Sequence, residues 1–122
     1  MLKLSVIIPV YNEKHTIEKI VDLVRFSPVN KEIIVVDDGS TDGTREVIRK
    51  RFSNQAEIHA IFHEKNAGKG KVIRTGIAVA SCDPIIILDA DLEYNPIHEG
   101  KKNGWKDGLK AFFLLFCYRV YD

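Results

Sequence analysis

Two aspartates one residue apart, Asp89 and Asp91, stand directly after the apolar run Ile85-Ile86-Ile87-Leu88. Four large apolar residues without polar alternation predict a strand buried on both faces, as in a parallel sheet with helices above and below. The carboxyl ends of such strands are where open α/β sheets place their ligand crevice. Carboxylates spaced i, i+2 in extended chain project to the same side. They repel unless a cation sits between them, and hard oxygen donors suit Mg2+ or Mn2+. A divalent ion held in this way usually bridges to substrate phosphates, so the pair predicts a metal–diphosphate site.

A second acidic cluster follows another apolar run: Asp37 and Asp38, then Gly39-Ser40-Thr41-Asp42. Asp42 or Thr41 is suited to capping the next helix. Capping needs one carboxylate rather than three in six residues, which leaves a strand-end carboxylate to accept hydrogen bonds from a ribose or a base edge. Gly68-Lys69-Gly70-Lys71 has the look of a phosphate loop but matches neither standard fingerprint. The P-loop pattern needs Ser or Thr after its lysine, and the dinucleotide pattern needs a glycine where Ile73 stands. The stretch is better read as a hinge, with Lys69 and Arg74 supplying positive charge near a diphosphate. His59 and His63 share one face of a predicted strand, and without a third ligand they read as exposed edge-strand histidines rather than a metal pair.

The elements that must position these residues alternate along the chain. Leu4 to Pro9 is a first apolar strand. Ile17, Ile20, Val21 and Val24 fall at i, i+3, i+4 and i+7, a helix stopped by Ser27-Pro28. Ile33 to Val36 is a second buried strand, and a short helix follows around Thr44 to Phe52. Ile58, Ala60 and Phe62 alternate as a third strand with one more polar face. Asn66 to Gly70 is a glycine-containing loop, and a third helix carries Ile73, Gly76, Ile77 and Ala80 on one face. The fourth strand is the Ile85–Leu88 run. This β-α-β-α-β-α-β order predicts an α/β fold with a parallel, doubly wound, Rossmann-like sheet of about four strands flanked by helices. The loops at 9–13, 37–42 and 89–91 would share one edge of it.

After residue 97 the pattern breaks. Residues 98–104 are polar and lysine-rich. Trp105, Leu109, Phe112, Phe113 and Phe116 then form a helical-period stripe flanked by Lys101, Lys102, Lys106, Lys110 and Arg119, the signature of a C-terminal amphipathic helix. The chain therefore divides into a nucleotide-binding unit, 1–97, and a tail, 98–122.

Bulk properties set bounds. A chain of 122 residues is one domain's worth, and about two-thirds of its unfolded surface is buried on folding. A net charge of +1 with 29% charged residues carries no basic excess to draw nucleic acid. Cys82 and Cys117 have neither metal-ligand spacing nor a disulfide-rich context, and Met1-Leu2-Lys3-Leu4 runs into a strand without a signal-peptide pattern. A reducing cytoplasm is the expected compartment. The longest apolar run, Ala111 to Tyr118, is far short of the roughly 20 residues a spanning helix needs.

Four ordered stretches, SVIIPVYNE (5–13), IVVDDGSTDGT (34–44), NAGKGKVIRTG (66–76) and LDADLEYNP (88–96), resemble the family 2 glycosyltransferases of GT-A fold, in particular the polyprenyl-phosphate (dolichol-phosphate sugar synthase-like) branch. The resemblance implies that Pro9, Tyr11 and Glu13 line a nucleotide pocket, that Asp38 contacts the nucleoside, and that Asp89 and Asp91 are a DxD motif holding Mg2+ or Mn2+ on a nucleotide-diphosphate sugar. Asp89 would also meet the nucleotide. Asn95 stands where such proteins often have Asp. The stretch from Glu99 to Arg119 resembles the far C-terminal tail of such enzymes, which implies a family member whose middle, acceptor-building segment is deleted near Pro96 to Glu99. The catalytic base then has no counterpart here.

Two functions follow: a glycosyltransferase acting on an acceptor such as a polyprenyl phosphate, placed in the cytoplasm or peripherally at the membrane's inner face, and a non-catalytic nucleotide or nucleotide-sugar binding module. A phospho-receiver domain also clusters strand-end aspartates, but it wants an acidic pair after the first strand, where Pro9-Val10-Tyr11 stands. The expected strand order, third-second-first-fourth, leaves the fourth strand at an edge, and with the aromatic stripe this predicts self-association as a symmetric dimer.

Overall fold

The structure is a computed structural model, and it describes residues 3–88. The tail, the aromatic stripe, Asn95 and both aspartates of the 89–91 motif lie outside the described residues. Within them, strands and helices alternate in the expected order: β1 (Leu4–Val10), α1 (Ile17–Arg25), β2 (Lys31–Asp37), α2 (Thr44–Phe52), β3 (Ile58–Phe62), α3 (Lys69–Val79) and β4 (Ile85–Ile87). All pairings between these strands are parallel, and the sheet order is β3-β2-β1-β4.

The pleat sends alternate side chains to two unequal layers. Leu4, Val6, Ile8 and Val10 of β1, with Ile33 and Val35 of β2, meet Ile17, Ile20, Val21 and Val24 of α1 and Ile48 and Phe52 of α2. All four apolar positions expected to face inward on α1 are buried. The opposite layer is thinner, with Ile7, Ile34 and Val36 packed under Val72 of α3. The last turn of α1 leaves carbonyls without helical partners. Lys31 Nζ donates to one of them, the Arg25 carbonyl, at 3.1 Å, and also gathers the carbonyls of Ser27 and Val29 in the turn that follows, at 3.1 and 3.0 Å.

Three expectations need correction. α3 begins at Lys69, so Lys69, Gly70 and Lys71 form a helical first turn rather than a loop. Its inward face is Val72 and Gly76, while Ile77 is 47% exposed. The cause is the close seating of α3 on β1: a Cβ on Gly76 would lie 2.6 Å from Ile7 Cγ2. The helix rests on the bare backbone of Gly76, and Ile77 is turned away. Thirdly, the β4 run is fully buried on one face only. Ile86 and Leu88 are covered, whereas Ile85 and Ile87 are half-buried, because α3 alone covers their layer among the described helices.

Candidate functional site

Parallel strands deliver their carboxyl ends to one edge, and three loops meet there. Asp38, the first residue after β2, donates its N–H to Val10 O at 2.8 Å, which ties the end of β1 to the end of β2. Asn12 adopts a positive φ of 53°. Its N–H donates to Ser40 Oγ and its Oδ1 accepts from Thr41 N–H, both at 2.8 Å. Gly39, with φ 79°, packs so closely on the next loop that a Cβ would stand 2.7 Å from Asn66 N and 2.8 Å from Lys65 C. Only glycine tolerates both that conformation and that approach.

The cleft between these loops encloses about 430 Å³. Pro9, Val10, Tyr11 and Glu13 line it from the β1 side, Asp38 from β2, Asn66 and Gly68 from the loop before α3, and Lys69 and Val72 from α3 itself. Of the residues singled out in the sequence, Pro9, Tyr11, Glu13, Asp38 and Lys69 are thus brought together. Arg74, farther along α3 than Lys69, is not among the lining residues. Asp89 and Asp91 fall outside the described residues, and no group of three or more His, Cys, Asp or Glu suited to a metal occurs among those described. β4 pairs with β1, and Leu88 N–H donates to Ile7 O at 2.8 Å. The residue before Asp89 is therefore anchored to the strand whose end supplies Pro9 and Val10 to the cleft.

Each carboxylate of the 37–42 cluster has a local task. Asp37 is fully buried; its Oδ2 accepts from Ser40 N–H at 3.1 Å and lies 3.4 Å from Arg45 Nε. Arg45 and Arg49 in turn lie over the Phe62 ring. Asp42 accepts from the N–H and hydroxyl of Thr44, so it serves the start of α2 from one residue before the N-cap position, which Gly43 occupies. Asp38 is the one that faces the cleft. Its Oδ1 is 2.9 Å from His63 Nδ1 and accepts from Ala67 N–H at 2.9 Å, and its Oδ2 accepts from Gly68 N–H at 2.9 Å. Burial pushes this carboxyl up, but the hydrogen bonds from His63, Ala67 and Gly68 outweigh it and hold the group below the ordinary carboxylate value. It is an anion with acceptor capacity left over, since a carboxylate offers about four lone-pair sites.

His63 corrects the reading of an exposed edge-strand pair. His59 is exposed, 3.6 Å from Glu32 Oε1. His63 lies just beyond β3, only 14% exposed, bonded to Asp38 and to Thr75 Oγ1. A positional signal for it did exist: it is the first residue after a parallel strand, the same place that Asp38 holds on β2.

A four-stranded parallel sheet covered by helices on both faces, with its cleft at the carboxyl edge, places the protein among nucleotide-binding α/β folds, and the solved structures it matches are GT-A glycosyltransferases. Residues 5–99 match Glycosyl transferase family 2, and the chain belongs to that family. It is 34% identical over 110 residues to a dolichol-phosphate mannosyltransferase of Pyrococcus furiosus, an alignment covering 84% of this chain and 31% of the relative. In structure it resembles the Pyrobaculum calidifontis mannosyltransferase PcManGT in complex with GDP-Man and Mn2+, with a TM-score of 0.67, 29% identity, and coverage of 72% of this chain and 27% of that one. It also resembles S. aureus TarS 1-349 in complex with UDP-GlcNAc, with a TM-score of 0.66, 29% identity, and coverage of 74% and 27%. The chain thus spans about a third of the length of the relatives it matches.

Proposed function

We propose that the cleft binds a nucleotide-diphosphate sugar as the donor for glycosyl transfer to an acceptor such as a polyprenyl phosphate. The observation that carries this reading is the convergence of Pro9, Tyr11, Glu13, Asp38 and Lys69 on one cleft at the carboxyl edge of a chain belonging to Glycosyl transferase family 2. Asp38 accepts a hydrogen bond from the nucleoside. Tyr11, 46% exposed at the rim, offers a ring face to the base. Lys69, in the first turn of α3, brings positive charge to the diphosphate, where the helix N-terminus also favours anions, and Arg74 adds charge further along the helix.

Asp89 and Asp91 hold Mg2+ or Mn2+, and Asp89 also meets the nucleotide. Their hard carboxylate oxygens suit either ion, and in the chain they follow Leu88, the residue after β4, which pairs with the strand that supplies Pro9 and Val10 to the cleft. When bound, the ion offsets the negative charge that builds on the departing nucleoside diphosphate. A lipid-phosphate acceptor places the protein at the inner face of a membrane. No helix among the described residues is long and apolar enough to cross one.

Calorimetry with GDP and with UDP, each with and without Mn2+, tests the site. Asp91→Ala should weaken diphosphate binding and abolish its dependence on the metal, because a lone carboxylate is a poor divalent site. Unchanged metal-dependent affinity in that variant overturns the assignment. Release of nucleoside diphosphate from a donor sugar nucleotide, with Mn2+ present, separates transfer or hydrolysis from binding alone.

A further inference from the structure

His63 bridges three elements at the edge of the cleft without lining it. Its backbone N–H donates to Asp37 O at 2.8 Å. On the ring, Nδ1 lies 2.9 Å from Asp38 Oδ1 and Nε2 lies 2.9 Å from Thr75 Oγ1. An ionised carboxylate only accepts, so Nδ1 carries the hydrogen. In the neutral ring Nε2 then accepts from the Thr75 hydroxyl. A chain of donors runs from α3, through the histidine at the end of β3, to the aspartate at the end of β2. Asp38 also accepts from Ala67 and Gly68 N–H, in the loop that leads into α3.

We infer that His63 is a positioning residue for the nucleoside subsite, an inference that rests on reading the cleft as a nucleotide site. Holding Asp38 Oδ1 fixes the carboxylate's rotation and leaves Oδ2 as the oxygen with acceptor capacity to spare. Taking the Thr75 hydroxyl sets the register of α3, whose Lys69 and Val72 line the same cleft. Without the imidazole, Asp38 is held by two loop amides alone, and the carboxylate and the start of α3 are free to shift together.

The test is calorimetry of the whole chain with GDP and with UDP, each with Mn2+, supported by long-range 1H–15N spectra of the imidazoles. His63→Phe keeps the ring volume and removes both hydrogen bonds. It should weaken nucleotide binding about tenfold, the scale of one charged hydrogen bond. His63→Asn, whose amide N–H stands where Nδ1–H stood, should restore most of the affinity, whereas His63→Gln, which reaches toward Thr75 instead, should not. The Asn and Gln variants keep the question open to a decision should the Phe variant fail to fold, and a general loss of packing would not distinguish them. The wild-type spectrum should show His63 as the Nδ1–H tautomer. Equal affinities for the Asn and Gln variants, wild-type affinity in His63→Phe, or an Nε2–H tautomer overturns the positioning role. Failure of the wild-type chain to bind either diphosphate overturns the nucleotide reading itself, and the positioning role with it.

Discussion

Glu32, near the start of β2, and Asp38, just past its end, are buried carboxylates, and burial pushes both up. Hydrogen bonds reverse the sign. Glu32 accepts from the Ser5 hydroxyl and from the N–H and hydroxyl of Ser81, with His59 nearby, and its carboxyl ends below the ordinary value. Asp38 does the same through His63, Ala67 and Gly68. A carboxyl whose folded pKa is depressed contributes stability above its unfolded value, about 4, and that contribution is lost as pH falls through the lower folded value. The urea midpoint should therefore hold from neutrality down to about pH 4 and fall below it. Glu32→Gln should lower the midpoint near neutrality and flatten the acid limb. An acid limb of unaltered steepness in that variant would remove Glu32 from the account. Nothing local marks Glu32 in the sequence, because Ser5 lies 27 residues away and Ser81 lies 49 away.

At the scale of elements, glycines decide how closely the site's supports approach one another. Gly76 lets α3 rest on Ile7, and Gly39 lets the β2 loop meet the backbone at 65–66. Gly76→Ala inserts a methyl group into a filled space, which costs about 1–3 kcal/mol by overpacking. Gly39→Ala meets backbone instead of a side chain and also strains a φ of 79°, so it should destabilise at least as much and weaken nucleotide binding besides. Denaturant titrations at constant m-value read both costs. A Gly76→Ala protein of wild-type midpoint would mean that Ile7 yields freely. The period of apolar residues located α3 but not its rotation about its axis. Ile73, Gly76, Ile77 and Ala80 form a plausible stripe, and only the seating on Ile7 selects Val72 and Gly76.

At the scale of the molecule, the described residues form an unequal sandwich whose outer strands, β3 and β4, each pair on one side only. Among the described residues β4 pairs only with β1, and β3 only with β2. On the α3 face Ile85 and Ile87 are half-buried, and α3 leaves Ile77 and Val79 at 47% and 42% exposure. Unpaired strand edges invite pairing with another chain, and clustered apolar surface favours it. We propose that the protein self-associates as a symmetric dimer, the simplest closed form. Light scattering on size-separated protein across a micromolar concentration series should give a mass rising to that of two chains. A mass of one chain throughout, up to high micromolar concentration, overturns the dimer.

By itself the sequence determined the order and type of every described element, the parallel sheet and its strand order. Strand-end and glycine-loop chemistry put Asp38 and Lys69 among the candidates, and the resemblance to family 2 glycosyltransferases added Pro9, Tyr11 and Glu13. The elements are written in short-range patterns: apolar runs of strand length, the i, i+3, i+4, i+7 spacing on α1, and polar turns after each strand. Only the tertiary structure decided what depends on partners far apart in the chain. His63 meets Asp38 across 25 residues and Thr75 across 12, the α3 face was chosen by Ile7 on β1, and Arg74 was separated from the cleft that Lys69 lines. Periodicity says which side of an element is apolar. It does not say which atoms of another element will arrive there, and hydrogen-bond chemistry at a sheet edge is settled by that arrival.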